Sequence, residues 1–405
     1  MRLEVHTLRA KKREQDFTGN RKMTFGEIIF LMLGMVREST QNALDRAFPR
    51  MGKAGTRISQ QAFSAARQKI RWEALEELFR ASVEGSLNEE MKLWRGLRVM
   101  AIDGTFLSLP SDAALLEHFG GLGHGATSPT ALASLLYDLE NDVILDARIA
   151  PVKSNERALA ETHLQCLCGL PDFNLGRREL VIFDRGYPSR AIIKSMIDKE
   201  ISFVIRAWKG YIPERDMRGL RDRTVELGHG WPSVRVVRLT LSTGQEETLL
   251  TNLPVSEVEY GAFAELYAKR WGIETKYGEL KRKLETENFS GRLVDNVKQD
   301  FFVTMTVANM LASFVREAER KAAKERAGSG NRYEYKVNVN HAVGAYKDRI
   351  IGVLIEDRPR VRNRLMRELI DCMKRRVTPI RPGREVARKP SPRKARFHRN
   401  HKSNC

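Results

Sequence analysis

Residues 179–207 read ELVIFDRGYPSRAIIKSMIDKEISFVIRA, and the order of patterns in this stretch decides the fold. ELVIFD is a short β-branched and aromatic run, which predicts a strand. SRAIIKSMIDKE carries apolar residues at helical spacing behind Ser189, a helix-capping residue type. ISFVIRA predicts another strand. Upstream, LRVMAID (97–103), LASLLYDLE (132–140) and VILDARIAPV (143–152) predict three more strands. NERALAETHLQCLCGL (155–170) predicts a helix with Asn155 as its cap. Three strands, helix, strand, helix, strand gives an α/β domain: a mixed five-stranded sheet covered by helices. The ribonuclease H-like fold has this order.

The flanks divide the chain further. Residues 1–95 read as a helical N-terminal domain: Phe25 to Phe48 has apolar residues at helical spacing, and Ser59 caps QQAFSAARQKI. Short helices with tight connections suit a helix-turn-helix-like DNA-binding module, with Gln60, Gln61, Arg67 and Lys69 as candidate contacts. Packing against the next domain is the equal alternative for these four. The α/β domain spans 96–320. Within it, about 208–258 has Gly and Pro punctuation and period-2 runs such as VRVVRLTLS and EETLLTNL, predicting an antiparallel β-rich insertion. YGAFAELYAKRWGIETKYGELKRKLET then predicts one long helical stretch, and a second apolar helix runs from Asn296 to about Glu319. Lys321 to Asn331 reads as a loop, 321–375 as a helical C-terminal region, and 376–405 as a basic disordered tail.

Composition narrows the function. The 405 residues carry a formal net charge of +19, with 42% hydrophobic and 30% charged residues. That is a globular chain with the electrostatic footprint of a polyanion binder, since Lys and Arg on phosphates release condensed counterions. No long amphipathic basic helix points to a membrane surface instead. The apolar run Ile28 to Val36 is far shorter than the roughly 20 residues that cross a bilayer, and it lacks the features of a secretory signal. Four cysteines, Cys166, Cys168, Cys372 and Cys405, form no CxxC pair and no zinc spacing, so a reducing, cytoplasmic setting is expected.

Chemistry concentrates on three carboxylates. Asp103 follows VMAI and precedes Gly104 and Thr105; Asp184 follows VIF and precedes Arg185 and Gly186. Two aspartates at one sheet edge bring together the oxygen ligands a hard cation requires. Glu274 lies with Tyr267, Arg270 and Lys281 at separations of three, four and seven residues, one face of a helix. Cations and a phenol beside a glutamate can grip phosphates near a metal site. Taken singly, a strand-end aspartate usually caps a turn, and an Arg–Glu pair one turn apart is often only solvated surface. Glu156 is a possible further polar site residue, with a helix-start glutamate on the dipole as the simpler account. His163 reads as structural. Gly120, Gly121 and Gly123 form no nucleotide fingerprint.

These residues carry a resemblance. The spacing Y-x2-R-x3-E-x6-K of Tyr267, Arg270, Glu274 and Lys281 resembles the YREK signature of the insertion sequence 4 family of DDE transposases. Asp103 in IDGT and Asp184 in FDRGY match the family's two aspartates. SNERALAE, FVIRA and LLTNLP also fit, and the likeness runs from about Phe25 to about Glu319. It implies a ribonuclease H-like core interrupted by a β-rich insertion. It also implies binding of terminal inverted repeats, cleavage at the element's ends and joining of the 3′-OH ends to target DNA. Asp103, Asp184 and Glu274 would be ligands for two Mg²⁺ ions, with Mn²⁺ able to substitute. Tyr267, Arg270 and Lys281 would hold DNA. Arg185 and Tyr187, beside Asp184, would touch DNA or pack their turn. Trp231 or Trp208 in the insertion would receive a flipped base if excision passes through a hairpin, with core packing the simpler account of either one. The partners implied are double-stranded DNA, both ends and target, and a second protomer on DNA. No membrane and no small-molecule cofactor is expected, in a bacterial, nucleoid-associated setting.

Overall fold

Among the described residues eight strands, numbered below in chain order, form one sheet in the order β3-β2-β1-β4-β5-β8-β7-β6. The computed structural model describes residues 10–18, 22–35, 39–87, 91–240, 244–327 and 333–381. In chain order the elements are α1 (Phe25–Gly34), α2 (Thr40–Arg50), α3 (Gln60–Arg67), α4 (Trp72–Glu84), β1 (Leu97–Ser108), α5 (Ala113–Phe119), β2 (Thr130–Asp138) and β3 (Val143–Pro151). Next come α6 (Glu156–Cys168), β4 (Arg178–Phe183), α7 (Arg190–Asp198), β5 (Ser202–Ala207), α8 (Glu214–Met217), β6 (Asp222–Glu226), β7 (Ser233–Thr240) and β8 (Glu246–Thr251). After a 3₁₀ turn at Tyr260–Ala262 follow α9 (Phe263–Ala268), α10 (Trp271–Lys283), α11 (Val294–Arg326), β9 (Tyr335–Val337), α12 (Val339–Ile355), α13 (Pro359–Lys374) and β10 (Val377–Pro379). Contacts within the chain separate two units. One comprises Leu87–Phe106 and Leu132–Gly278; the other comprises Met1–Ser86, Leu107–Ala131 and Glu279–Cys405.

The first of these units holds the sheet. The five strands predicted from sequence are its β1 to β5, in the ribonuclease H-like order 3-2-1-4-5. β1 and β4 pair in parallel, with Val99 opposite Leu180 and Ala101 opposite Ile182; β4 and β5 are also parallel. Four residues separate β2 from β3, a connection that serves only antiparallel neighbours. The insertion does not stand apart. β8 pairs antiparallel with β5, and β7 and β6 follow it, so the five predicted strands become eight. β1 is also longer than LRVMAID: it continues five residues beyond Asp103, past the end of its ladder with β4.

Alternation sets the core. Leu97, Val99, Leu180, Ile182, Val204, Val237, Leu239 and Leu249 project from one sheet face and pack with Phe263, Leu266 and Tyr267 of α9. The opposite-facing Val181, Phe183, Phe203 and Ile205 are also buried, as expected of a sheet covered on both faces. Trp94 seats the start of β1 by donating its indole N–H to Glu265 at 2.8 Å.

The second unit is largely helical. Thr24 and Glu27 form a reciprocal capping box on α1, and Ser39 and Ser59 cap α2 and α3; each cap satisfies a backbone N–H that the helix leaves free. Ser39 splits the predicted Phe25–Phe48 run into two helices, with 36–38 outside the described residues. The 33-residue α11 presents a buried stripe including Phe301, Phe302, Met305 and Ala308, on which Trp72 of α4 stacks at 5.8 Å. α11 extends to Arg326, so the loop expected from Lys321 begins later. Lys, Ala, Glu and Arg are good helix formers, and Lys321 pairs with Asp371 at 3.3 Å. Residues 328–332 of that loop and 382–405 of the basic tail lie outside the described residues.

Arg67 takes the packing alternative of the two that the sequence leaves open. Only 1% exposed, it donates to Gln299 at 2.9 Å, to the Asn296 carbonyl at 3.2 Å and to Asp300 at 3.0 Å, and also to Ser290. A guanidinium spent on four internal acceptors is a packing element and no DNA contact. Gln61 is exposed, and Gln60 and Lys69 are half-buried. Among the described residues no helix is long and apolar enough to cross a membrane.

Candidate active site

Continuing the β1–β4 register two residues beyond Ala101 and Ile182 brings Asp103 level with Asp184, one strand spacing away. Both line an open cleft of about 540 Å³, with Gly104, Thr105, Arg185, Arg206, Arg270, Glu274 and Tyr277. All of these residues belong to the sheet-bearing unit.

Each aspartate is fixed by local backbone. Asp103 Oδ1 accepts from the N–H of Gly104 at 2.8 Å, and Asp184 Oδ1 accepts from Gly186 at 2.7 Å. The Asp103 carbonyl receives the Tyr277 hydroxyl at 2.6 Å and the Ser134 hydroxyl at 3.3 Å. Burial, reinforced by the charges of Asp184 and Glu274, raises the Asp103 carboxyl to about 7, against the Gly104 N–H and Arg270. Three carboxylates on one cleft supply the hard oxygen donors that suit a divalent cation. Among the described residues no group of three His, Cys, Asp or Glu side chains converges to enclose an ion; the carboxylates stand around the cleft.

The glutamate segment departs from the single helix expected. α9 stops at Ala268 and α10 starts at Trp271. Between them the hydrogen bonds tighten to a three-residue step, with Arg270 N–H on the Tyr267 carbonyl at 3.1 Å and Ile273 N–H on the Arg270 carbonyl at 3.2 Å. Tyr267 is therefore positioned by the last turn of α9, Arg270 by the turn that follows it, and Glu274 and Lys281 by α10. Arg270 bonds Glu274 at 2.8 Å and lies 5.8 Å from the Tyr267 ring centre and 5.0 Å from that of Trp271. Its Nε and the Tyr267 hydroxyl are buried without a hydrogen-bond partner. Burial raises the Tyr267 hydroxyl to about 12, so it stays protonated, a donor with nothing yet to donate to.

The remaining candidates separate. Arg185 is exposed on the cleft. Lys281 falls in the helical unit and pairs with Glu287 at 3.9 Å. Trp231 does not line the cleft; the Arg190 guanidinium covers its ring at 5.6 Å. Trp208 is 46% exposed and meets Tyr211 edge-on at 4.6 Å. Sequence reading passed over Tyr277 and Arg206. Tyr277 follows Glu274 at helical spacing, a signal present in YGELK. Arg206 sits in FVIRA and pairs with Glu247 at 2.9 Å; nothing in the string separates it from an ordinary strand cation. His163, read as structural, is fully buried between Asp146 at 2.7 Å and Ser134 at 2.9 Å, and Ser134 passes the network on to the Asp103 carbonyl.

Among solved structures the chain is similar to the piggyBac transposase synaptic complex with hairpin DNA, at a TM-score of 0.49 and 12% identity over 91% of this chain and 80% of that one. Among curated proteins it is 24% identical over 322 residues to the transposase InsG for insertion sequence element IS4 of Escherichia coli (strain K12), covering 72% of this chain and 70% of that protein. A family model described as a transposase DDE domain matches residues 94–310, more than half of the chain and the whole interval from Asp103 to Lys281. The protein belongs to the DDE transposase family, of the insertion sequence 4 kind that its YREK spacing resembles.

Proposed function

We propose that this transposase binds the terminal inverted repeats of its own insertion sequence, cleaves DNA at the element's ends and joins the 3′-OH ends to target DNA. One observation carries the reading: Asp103, Asp184 and Glu274 line a single cleft whose other charged side chains are Arg185, Arg206 and Arg270. Anions for cations beside cations for phosphates are what phosphodiester chemistry needs.

Asp103, Asp184 and Glu274 would hold two Mg²⁺, or Mn²⁺ in its place. When bound, such a pair activates the attacking oxygen and stabilises the leaving one. The chain's own groups do the rest. Arg270, free to release Glu274, and the buried Tyr267 hydroxyl supply donors to the DNA backbone. Arg185 and Arg206 steer phosphates into the cleft, and Lys281 contributes a further backbone contact. Gln60, Gln61 and Lys69 are the contacts of the N-terminal helical segment. The net charge of +19 supports sequence-independent attraction to DNA, and pairing two ends calls for two protomers on DNA, in a bacterial cytoplasm. Trp208 or Trp231 would take a flipped base on a hairpin route.

The test is incubation of the protein with DNA carrying the gene's flanking ends, with Mg²⁺ or with chelator. Cuts at the ends followed by joining to a second DNA are expected with Mg²⁺ alone. Binding without metal-dependent cuts contradicts the reading.

A further inference from the structure

We propose that Glu156 is a fourth carboxylate of this centre, holding a divalent cation together with Asp103 and Asp184. The inference rests on the two-cation reading above and adds to it a residue outside the three that the family resemblance supplies.

Three observations place Glu156 there. Gly104 directly follows Asp103, and a methyl group on it would stand 3.1 Å from Glu156 Oε1 and 3.3 Å from Leu132 Cδ1. The glutamate's carboxylate therefore lies against β1 beside the first aspartate. On the other side, Arg157 donates from Nε to the carbonyl of Gly186 at 3.2 Å, and the N–H of that same Gly186 holds Asp184 Oδ1. The first turn of α6 is thus tied to the turn of the second aspartate. The third is Tyr187, three residues after Asp184. It is 1% exposed, and its hydroxyl is buried with no hydrogen-bond partner. A buried donor left unbonded beside the turn of the second aspartate marks a space for a polar occupant.

Glu156 is the first residue of α6, behind the Asn155 cap, and the helix dipole favours a carboxylate there. The dipole does not require the side chain to lean across Gly104. A shared cation accounts for the lean, since it makes joint ligands of neighbouring carboxylates.

The test uses the full-length protein without DNA and Mn²⁺ as probe, following free Mn²⁺ by electron paramagnetic resonance at fixed pH. Wild type, Glu156→Gln and Asp184→Asn are titrated side by side, with thermal melts of each cation-free protein. Glu156→Gln is expected to weaken Mn²⁺ binding by about tenfold or more with the melting temperature unchanged or raised. If Asp184→Asn weakens binding and Glu156→Gln leaves it as in wild type, the inference about Glu156 is overturned and the two-cation reading stands. If wild type binds no Mn²⁺, both fall together. Should Glu156→Gln fail to fold, Glu156→Asp takes its place, with intermediate affinity expected and wild-type affinity overturning the inference.

Discussion

Tyr277, three residues after Glu274 on the same helix, donates its hydroxyl to the backbone carbonyl of Asp103 at 2.6 Å. One hydrogen bond thereby ties the helix of the glutamate to the strand of the first aspartate. The bond is partly buried, with Tyr277 only 7% exposed. It fixes the separation of the two backbone segments that carry the carboxylates.

Tyr277→Phe tests that tie. The ring and its packing remain, and one partly buried hydrogen bond goes, at a cost of about 1 kcal/mol in stability. Cleavage should fall by about 10- to 100-fold, the range for groups that orient ligands, while affinity for end DNA is unchanged. Single-turnover cleavage and a binding isotherm measured together check this. Equal loss of binding and cleavage would mean that Tyr277 acts on the DNA.

Arg67→Met should destabilise the helical unit by about 3 kcal/mol, the lower end for breaking a buried ion pair, because Asp300 keeps some solvent contact. Urea unfolding measures it. A variant of unchanged stability that no longer binds DNA would restore Arg67 to the protein surface.

A second buried network predicts a pH dependence. Glu179, on β4 and fully buried, has both carboxylate oxygens unbonded, with Arg177 at 3.7 Å and Arg98 at 4.0 Å. Burial raises it from 4.5 to about 7, only partly offset by those arginines. An acid whose proton is held more tightly in the folded state stabilises the fold while protonated. That contribution is complete below about pH 4.5 and is lost as pH rises to about 7. Glu179→Gln should therefore flatten the stability profile across this window and add up to about 3 kcal/mol at pH 8. Denaturant midpoints at pH 5 and pH 8 decide it. A wild-type profile retained in the variant would assign the slope to other groups.

Removing residues 382–405, rich in Lys and Arg, should lower affinity for any DNA and reduce the salt slope of binding, because fewer counterions are released. An unchanged slope would assign the tail another role.

Much of this architecture is legible in the chain because its signals are local. β-branched runs such as LVIF and FVIR can be buried only as strands, and Ser189 and Asn155 cap the helices that follow them. β6, reading DRTVE, is a short and mostly polar edge strand with no hydrophobic alternation, so only its pairing with β7 reveals it. The turn at Lys269–Arg270 contains no Gly or Pro, and nothing in the string announces it. Arg67 shows the same limit from the other side: its acceptors Ser290, Asn296, Gln299 and Asp300 lie more than 220 residues away. The carboxylates were found through strand ends and spacing, whereas Tyr187 and Glu156 near them depend on how α6 and the Asp184 turn meet.

The most direct test of the central claim is Asp184→Cys, assayed for cleavage of end DNA in Mg²⁺ and in Mn²⁺. Thiolate is a poor ligand for Mg²⁺ and a better one for softer cations. Cleavage lost in Mg²⁺ and recovered in Mn²⁺, with DNA binding unchanged throughout, is the predicted result. Cleavage that persists in Mg²⁺ would show that Asp184 holds no cation and would contradict the account.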